Sequence, residues 1–208
     1  MTAVSTFSPA GPVQGRVRWR RFAAIFIPAF LAIIVMFFLV AQGALGVSFA
    51  VSGQQFTVTA STLDGTGFQQ WGSLDATVAN PTPHIPVIVS SINSATLSNL
   101  CQSVGTPFPG PFAFLKITAG GGSTPASAQS LVVDATNLSG SNATFTNINI
   151  GQDPTTFGNP AVPSADAGTF GQAADHVTIT NLNQTAYATT AGTFTLPGLN
   201  LGFSGSSC

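Results

Sequence analysis

Beyond residue 55, apolar and polar positions alternate with a period of two. Phe56, Val58 and Ala60 alternate with Thr57, Thr59 and Ser61, and Val177 and Ile179 with Thr178 and Thr180. Phe145 lies between Thr144 and Thr146, and Ile148 and Ile150 alternate with Asn147 and Asn149. Such spacing suits half-buried β-strands that keep threonine on the wet face. Glu, Lys and Arg, which usually cover a helix surface, are almost missing beyond residue 21, and this argues against helices there. The pattern predicts an all-β domain across residues 42–208.

Three segments share a finer pattern: Thr96-Leu97-Ser98-Asn99-Leu100, Thr144-Phe145-Thr146-Asn147-Ile148 and Thr178-Ile179-Thr180-Asn181-Leu182. In each, two apolar residues stand three apart, and a flat strand would turn them to opposite faces. An asparagine between them that visits the left-handed region, or bonds its own backbone, makes a bulge or corner that returns both to one interior. Corners of this kind build a parallel β-solenoid or an elongated stacked sheet. The spacing between the three segments is irregular, so a β-sandwich or an open twisted sheet is the alternative. Asn80–His84, Thr106–Pro111, Ala119–Ser130 and Gly151–Gly168 read as loops, the third as the most linker-like. Asp64-Gly65-Thr66-Gly67 reads as a turn, and Pro86 marks an edge position in the run Ile85–Ile92.

One stretch breaks the alternation altogether. Residues 22–41 (FAAIFIPAFLAIIVMFFLVA) carry no charge, and as a helix they would extend ~30 Å, the hydrocarbon thickness of a bilayer. Arg16, Arg18, Arg20 and Arg21 stand just before it, and the next base is Lys116. The positive-inside bias then keeps residues 1–21 cytoplasmic, makes 22–41 a transmembrane helix or signal-anchor, and exports 42–208. The apolar core is longer than a cleaved signal needs, which favours a retained anchor. Ala41-Gln42-Gly43 and Ala44-Leu45-Gly46 nonetheless offer small residues at the positions a signal peptidase reads, and secretion after cleavage is the alternative.

Charge narrows the function classes. After Arg21 a single base, Lys116, faces six aspartates, a net of −5, whereas a nucleic-acid binder needs a basic face. The two cysteines, Cys101 and Cys208, both fall on the exported side, and in an oxidising compartment an internal disulfide is expected. The alternatives are that both stay reduced, or that Cys208 pairs with another molecule. The internal bridge would close a loop of more than a hundred residues, worth ~4–5 kcal/mol in the chain-entropy account.

No catalytic set emerges. The nearest approach to a nucleophile elbow, Gly202-Phe203-Ser204-Gly205-Ser206, lacks the final glycine. The histidines are His84 and His176, and the neighbours Asp175 and His176 point to opposite faces of a strand. A triad assembled from distant segments is the weak remaining route to an enzyme. Nothing has the ligand spacing of a calcium loop or a zinc site, and Gly120-Gly121-Gly122 lacks the lysine of a phosphate loop. No catalytic residue, metal or cofactor is expected, and the reading leans away from an enzyme. Phe68, Trp71, Phe108, Phe112 and Phe114 lie around the loops. The Pro-Phe-Pro-Gly-Pro-Phe-Ala-Phe run is expected to fold under as a plug over the core, or else to be an exposed patch facing lipid or a partner.

The stretches Arg18–Ala23, Ala41–Leu45, Ser48–Gly53, Leu63–Phe68, Leu100–Val104, Val177–Leu182 and Leu196–Leu201 together resemble an actinobacterial family of uncharacterised envelope proteins, known as a domain of unknown function. Some members are labelled cholesterol esterase, but no catalytic residue of the family transfers to a position here. The resemblance implies an envelope location and an actinobacterial origin. The expected function is a membrane-tethered extracytoplasmic β protein with a non-enzymatic binding or surface-structural role. Its expected partners are the membrane, through 22–41, and a lipid or an envelope protein. The alternatives are a lipid binder with an apolar groove and an esterase acting on lipid esters.

Overall fold

Residues rich in Thr, Val, Ile and Ala form ten strands of a single sheet. The computed structural model describes residues 52–208 except 78, 79, 81, 83, 158–164 and 166, together with Phe26 and Phe30. Those two phenylalanines are helical and exposed, with their rings stacked 5.9 Å apart. The rest of the 22–41 segment lies outside the described residues, as do Arg16, Arg18, Arg20 and Arg21. Among the described residues no helix is long and apolar enough to cross a membrane.

The strands are β1 (Phe56–Asp75), β2 (Ile85–Ser98), β3 (Leu100–Gly105), β4 (Phe114–Ala119), β5 (Ala126–Ser139), β6 (Asn142–Thr146), β7 (Asn149–Gln152), β8 (Gly171–Thr190), β9 (Thr193–Thr195) and β10 (Asn200–Ser204). Every pairing is antiparallel. β1 pairs with β2 along one edge and β8 along the other, β2 pairs with β5, and β5 pairs with β8. The circuit therefore closes on itself as a barrel. The chain makes it in four long up-and-down passes: β1, then β2 into β3, then β4 through β7, then β8 through β10. The expected parallel solenoid is thus corrected, because each pass reverses direction and pairs with its sequence neighbours. The alternative of a sandwich or open sheet is corrected too, since one sheet closes where two would have to stack. Closure also removes edges that would otherwise present unpaired backbone groups.

The asparagine corners are present. Asn99, Asn147 and Asn181 sit at φ of 52°, 52° and 50°, the left-handed region that Asn tolerates better than other side chains. Each side-chain amide also reaches across the sheet: Asn99 Nδ2 donates to Ser61 Oγ at 3.0 Å, Asn181 Nδ2 to Ser141 Oγ at 3.0 Å, and Asn147 Nδ2 to Asp175 Oδ2 at 2.7 Å. The apolar pairs on either side, Leu97 with Leu100 and Ile179 with Leu182, are buried in one core, and Phe145 and Ile148 pack against it. Ile150 does not follow, and stands exposed on β7.

Asp64-Gly65-Thr66-Gly67 is not a turn. It runs inside β1, where Asp64, Gly65 and Thr66 stay in register with Thr96, Ala95 and Ser94. Gly67, at φ of +67°, bends the strand there, and a Cβ on Gly65 would lie 2.6 Å from Ile92 Cγ2. Close approach, not chain reversal, is why glycines stand here.

The barrel interior is filled by Val58, Leu63, Phe68, Ile92, Leu131, Val177 and their neighbours, with many alanines between them. The segment read as linker-like is in fact largely strand: only residues 120–125 connect β4 to β5, and Ala126 and Ala128 are fully buried. The small side chains belong to a narrow interior. Phe68 and Trp71 are likewise core residues, not loop residues. Trp71, Val87 and Val89 form a second cluster, against which Val132, Phe157 and Tyr187 pack. Because Leu131 and Val133 face the barrel while Val132 faces this cluster, the two cores lie on opposite faces of the sheet.

Candidate functional site

Where β2 gives way to β3 at Asn99, the sheet stops closing and flares. β3 still pairs with the first residues of β1, but its other edge takes β4, and β4 takes β10. Cross-strand partners share a face, so the register Phe56↔Val104↔Leu115↔Phe203 and Gln102↔Ile117↔Leu201 sets apolar side chains in rows across four strands. This face continues that of Val58, so the interior surface of the barrel runs out onto the flare. There it is no longer covered: Leu201 and Phe203 are 60% and 56% exposed.

A groove of about 390 Å³ lies on this face, lined by Phe56, Val104, Leu115, Ile117 and Tyr187, with Ser52, Gln54 and Gln102 among its polar groups. That volume falls in the ~300–1,000 Å³ range of small-molecule sites. The space left within the barrel is about 30 Å³, room for roughly one water. Beside the groove the Pro-Phe-Pro loop holds Phe108 and Phe112 outward, 57% and 53% exposed. The expected plug is therefore corrected to an exposed patch. Prolines at 107, 109 and 111 and a one-turn 3-10 helix, Gly110–Phe112, keep the loop outside, and Phe112 meets Phe203 edge to face at 5.7 Å.

The other face of the flare is covered by the chain's own C-terminal end. Cys101 and Cys208 are joined, with sulfurs 2.08 Å apart and a sequence separation of 107. Cys208 N donates to Ser103 Oγ at 3.0 Å, and Lys116 Nζ to the Ser207 carbonyl at 3.3 Å. These contacts fasten residues 207–208 to β3 and β4 from behind and leave the apolar side open.

The polar candidates do not converge on it. His84 Nδ1 donates to the Thr82 carbonyl at 2.6 Å in the loop before β2. His176, within β8, donates from Nε2 to Asp64 Oδ2 at 3.0 Å, and Thr178 Oγ1 donates to that same oxygen at 3.0 Å. Nε2 thus faces both Asp64 and Thr178 Oγ1, the latter at 3.3 Å, whereas a general base of a triad holds its acid on one ring nitrogen and takes the hydroxyl proton on the other. Both His176 and Asp64 are also well solvated, at 38% and 48% side-chain exposure. Asp175 turns away from His176 to Asn147. Among the described residues no three His, Cys, Asp or Glu side chains are grouped to hold a metal ion.

A model of a family of unknown function, DUF6230, matches residues 52–208. The chain belongs to that family. The match covers the barrel and the flare of this DUF6230 domain together, including both cysteines and all three asparagine corners. No curated protein and no solved structure matches the chain.

Two features of the DUF6230 domain escaped the sequence. One is the flare itself, whose signal was the alternation Leu115-Lys116-Ile117 in β4 and Leu201-Gly202-Phe203 in β10. The other is a pair of perturbed carboxylates. Burial, with the charge of Asp75 adding to it, pushes Asp134 up to about 6, and burial also raises Asp75. No sequence signal marks Asp134, which sits at an irregular pairing of β5 with β8. Asp153 moves the other way, lowered by hydrogen bonds from the Thr155 hydroxyl and from the backbone of Gly168 and Thr155.

Proposed function

We propose that this DUF6230 protein is a membrane-tethered, extracytoplasmic β protein of an actinobacterial cell envelope, with a non-enzymatic binding or surface-structural role. The observation that carries the reading is the joined pair Cys101–Cys208, since such bonds persist outside the cytosol and are reduced within it. Its tether is the apolar segment 22–41, oriented by Arg16, Arg18, Arg20 and Arg21 with the N-terminus cytoplasmic. Cleavage after 41 would give a secreted form of the same domain. Binding has a definite place in this reading, the groove of the flare, while the threonine-rich outer face suits a surface-structural part. An esterase is disfavoured, because a single nitrogen of His176, Nε2, faces both the acid Asp64 and the hydroxyl of Thr178, where a triad needs one ring nitrogen for each.

Thiol trapping in living cells tests the reading. Cells quenched in acid and alkylated before reduction should leave both cysteines unmodified, and both should react only after reduction. Two cysteines free in the cell would return the domain to the cytoplasm and overturn the proposal.

A further inference from the structure

We propose that the groove of the flare takes a hydrocarbon chain of a lipid from the membrane that holds the protein. The inference rests on the tethered reading above and names the ligand for its binding role.

The chemistry of the lining selects the class. Phe56, Val104, Leu115, Ile117 and Tyr187 supply the walls, and no lining residue is charged. Lys116, the one base beyond residue 21, is committed on the far side of β4 to the Ser207 carbonyl. An apolar, uncharged wall recognises hydrocarbon and is indifferent to the sign of a headgroup. The barrel cannot compete for such a chain, since its remaining space of about 30 Å³ holds no more than a water.

The source follows from chain length. Ser52 and Gln54 line the groove, and residues 42–51 are all that separate them from the end of the apolar segment. Ten extended residues reach at most ~35 Å, so the tether confines the groove to the neighbourhood of the bilayer surface and keeps acyl chains at high effective concentration. The side chains next to the groove suit that neighbourhood: Leu201 and Phe203, in register with Ile117 and Leu115, and Phe112, edge to face with Phe203, are all more than half exposed. An exposed apolar patch on an otherwise polar domain marks a surface that is covered in use.

Photolabelling tests this. The full chain is reconstituted in phosphatidylcholine vesicles that carry a trace of phosphatidylcholine with a diazirine on its acyl chain, and adducts are mapped by mass spectrometry. Adducts are expected in 22–41 and, separately, on peptides carrying Phe56, Leu115 and Ile117. Leu115→Gln should lower the groove adducts at least five-fold and leave those in 22–41 unchanged, while Ile150→Gln, on an exposed site away from the groove, should change neither. A second measurement needs no variant: excess unlabelled oleate should suppress the groove adducts of the unaltered protein. Adducts confined to 22–41 would overturn the groove and leave the tether standing. Adducts nowhere would overturn both. Groove adducts that survive excess oleate and Leu115→Gln alike would show mere surface contact and overturn the proposal.

Discussion

Each corner asparagine combines two properties that no other residue offers together: tolerance of positive φ and an amide that bonds the next strand. The two can be separated at Asn181, whose φ is 50° and whose amide donates to Ser141. Asn181→Gly keeps the backbone and loses the bond, and should cost about 1 kcal/mol. Asn181→Ala loses the bond and strains the backbone as well, and should cost about 2–3 kcal/mol. Urea unfolding measures both, and equal losses would contradict the role given to the corner. The carboxylates make a second residue-scale claim. Asp134 keeps its proton in the folded domain up to about pH 6, whereas the unfolded chain releases it near 3.8. The folded state therefore binds more protons between those values, and stability falls as pH rises through that window. Asp75 acts in the same direction, while the stabilisation from Asp153 is present above its ordinary value of 3.8 and is lost only in more acid solution. The melting temperature should thus be higher at pH 5 than at pH 7, and Asp134→Asn should flatten that slope. An unchanged slope in the variant would assign the effect elsewhere.

At the scale of elements, strand identity was legible and strand arrangement was not. The period of two in β1 and β8 and the three-residue spacing at Asn99 and Asn181 follow from how side chains leave a pleated backbone, so local sequence carries them. A left-handed residue inside a strand makes the same spacing whether its neighbours run parallel or antiparallel, and hence the corners suggested a solenoid where the chain builds a coiled barrel. Residues 126–130 looked like a linker because a narrow barrel and a flexible tether both call for small side chains; only the pairing of Ala126 with Leu97 and Ala128 with Ala95 distinguishes them. The Pro-Phe-Pro loop departs from the expected plug for a related reason. Its phenylalanines are apolar enough to be buried, but proline stiffness and the contact of Phe112 with Phe203 hold them at the rim. The groove was least legible, since its walls come from β1, β3, β4 and β8 and exist only once the sheet has flared.

At the scale of the whole molecule, the domain has two unlike surfaces at one end. The C-terminal residues, bonded through Cys208, close one face of the flare, and the other face is left apolar, with Ser52 and Gln54 lining its groove. The barrel interior leaves only about 30 Å³, against about 390 Å³ in the groove of the flare. The direct measurement is protease digestion of intact cells expressing the full chain with an epitope after Cys208. External protease should remove the epitope from intact cells while a cytoplasmic marker survives. An epitope protected in intact cells and cleaved only after lysis would place the barrel in the cytosol and contradict the account.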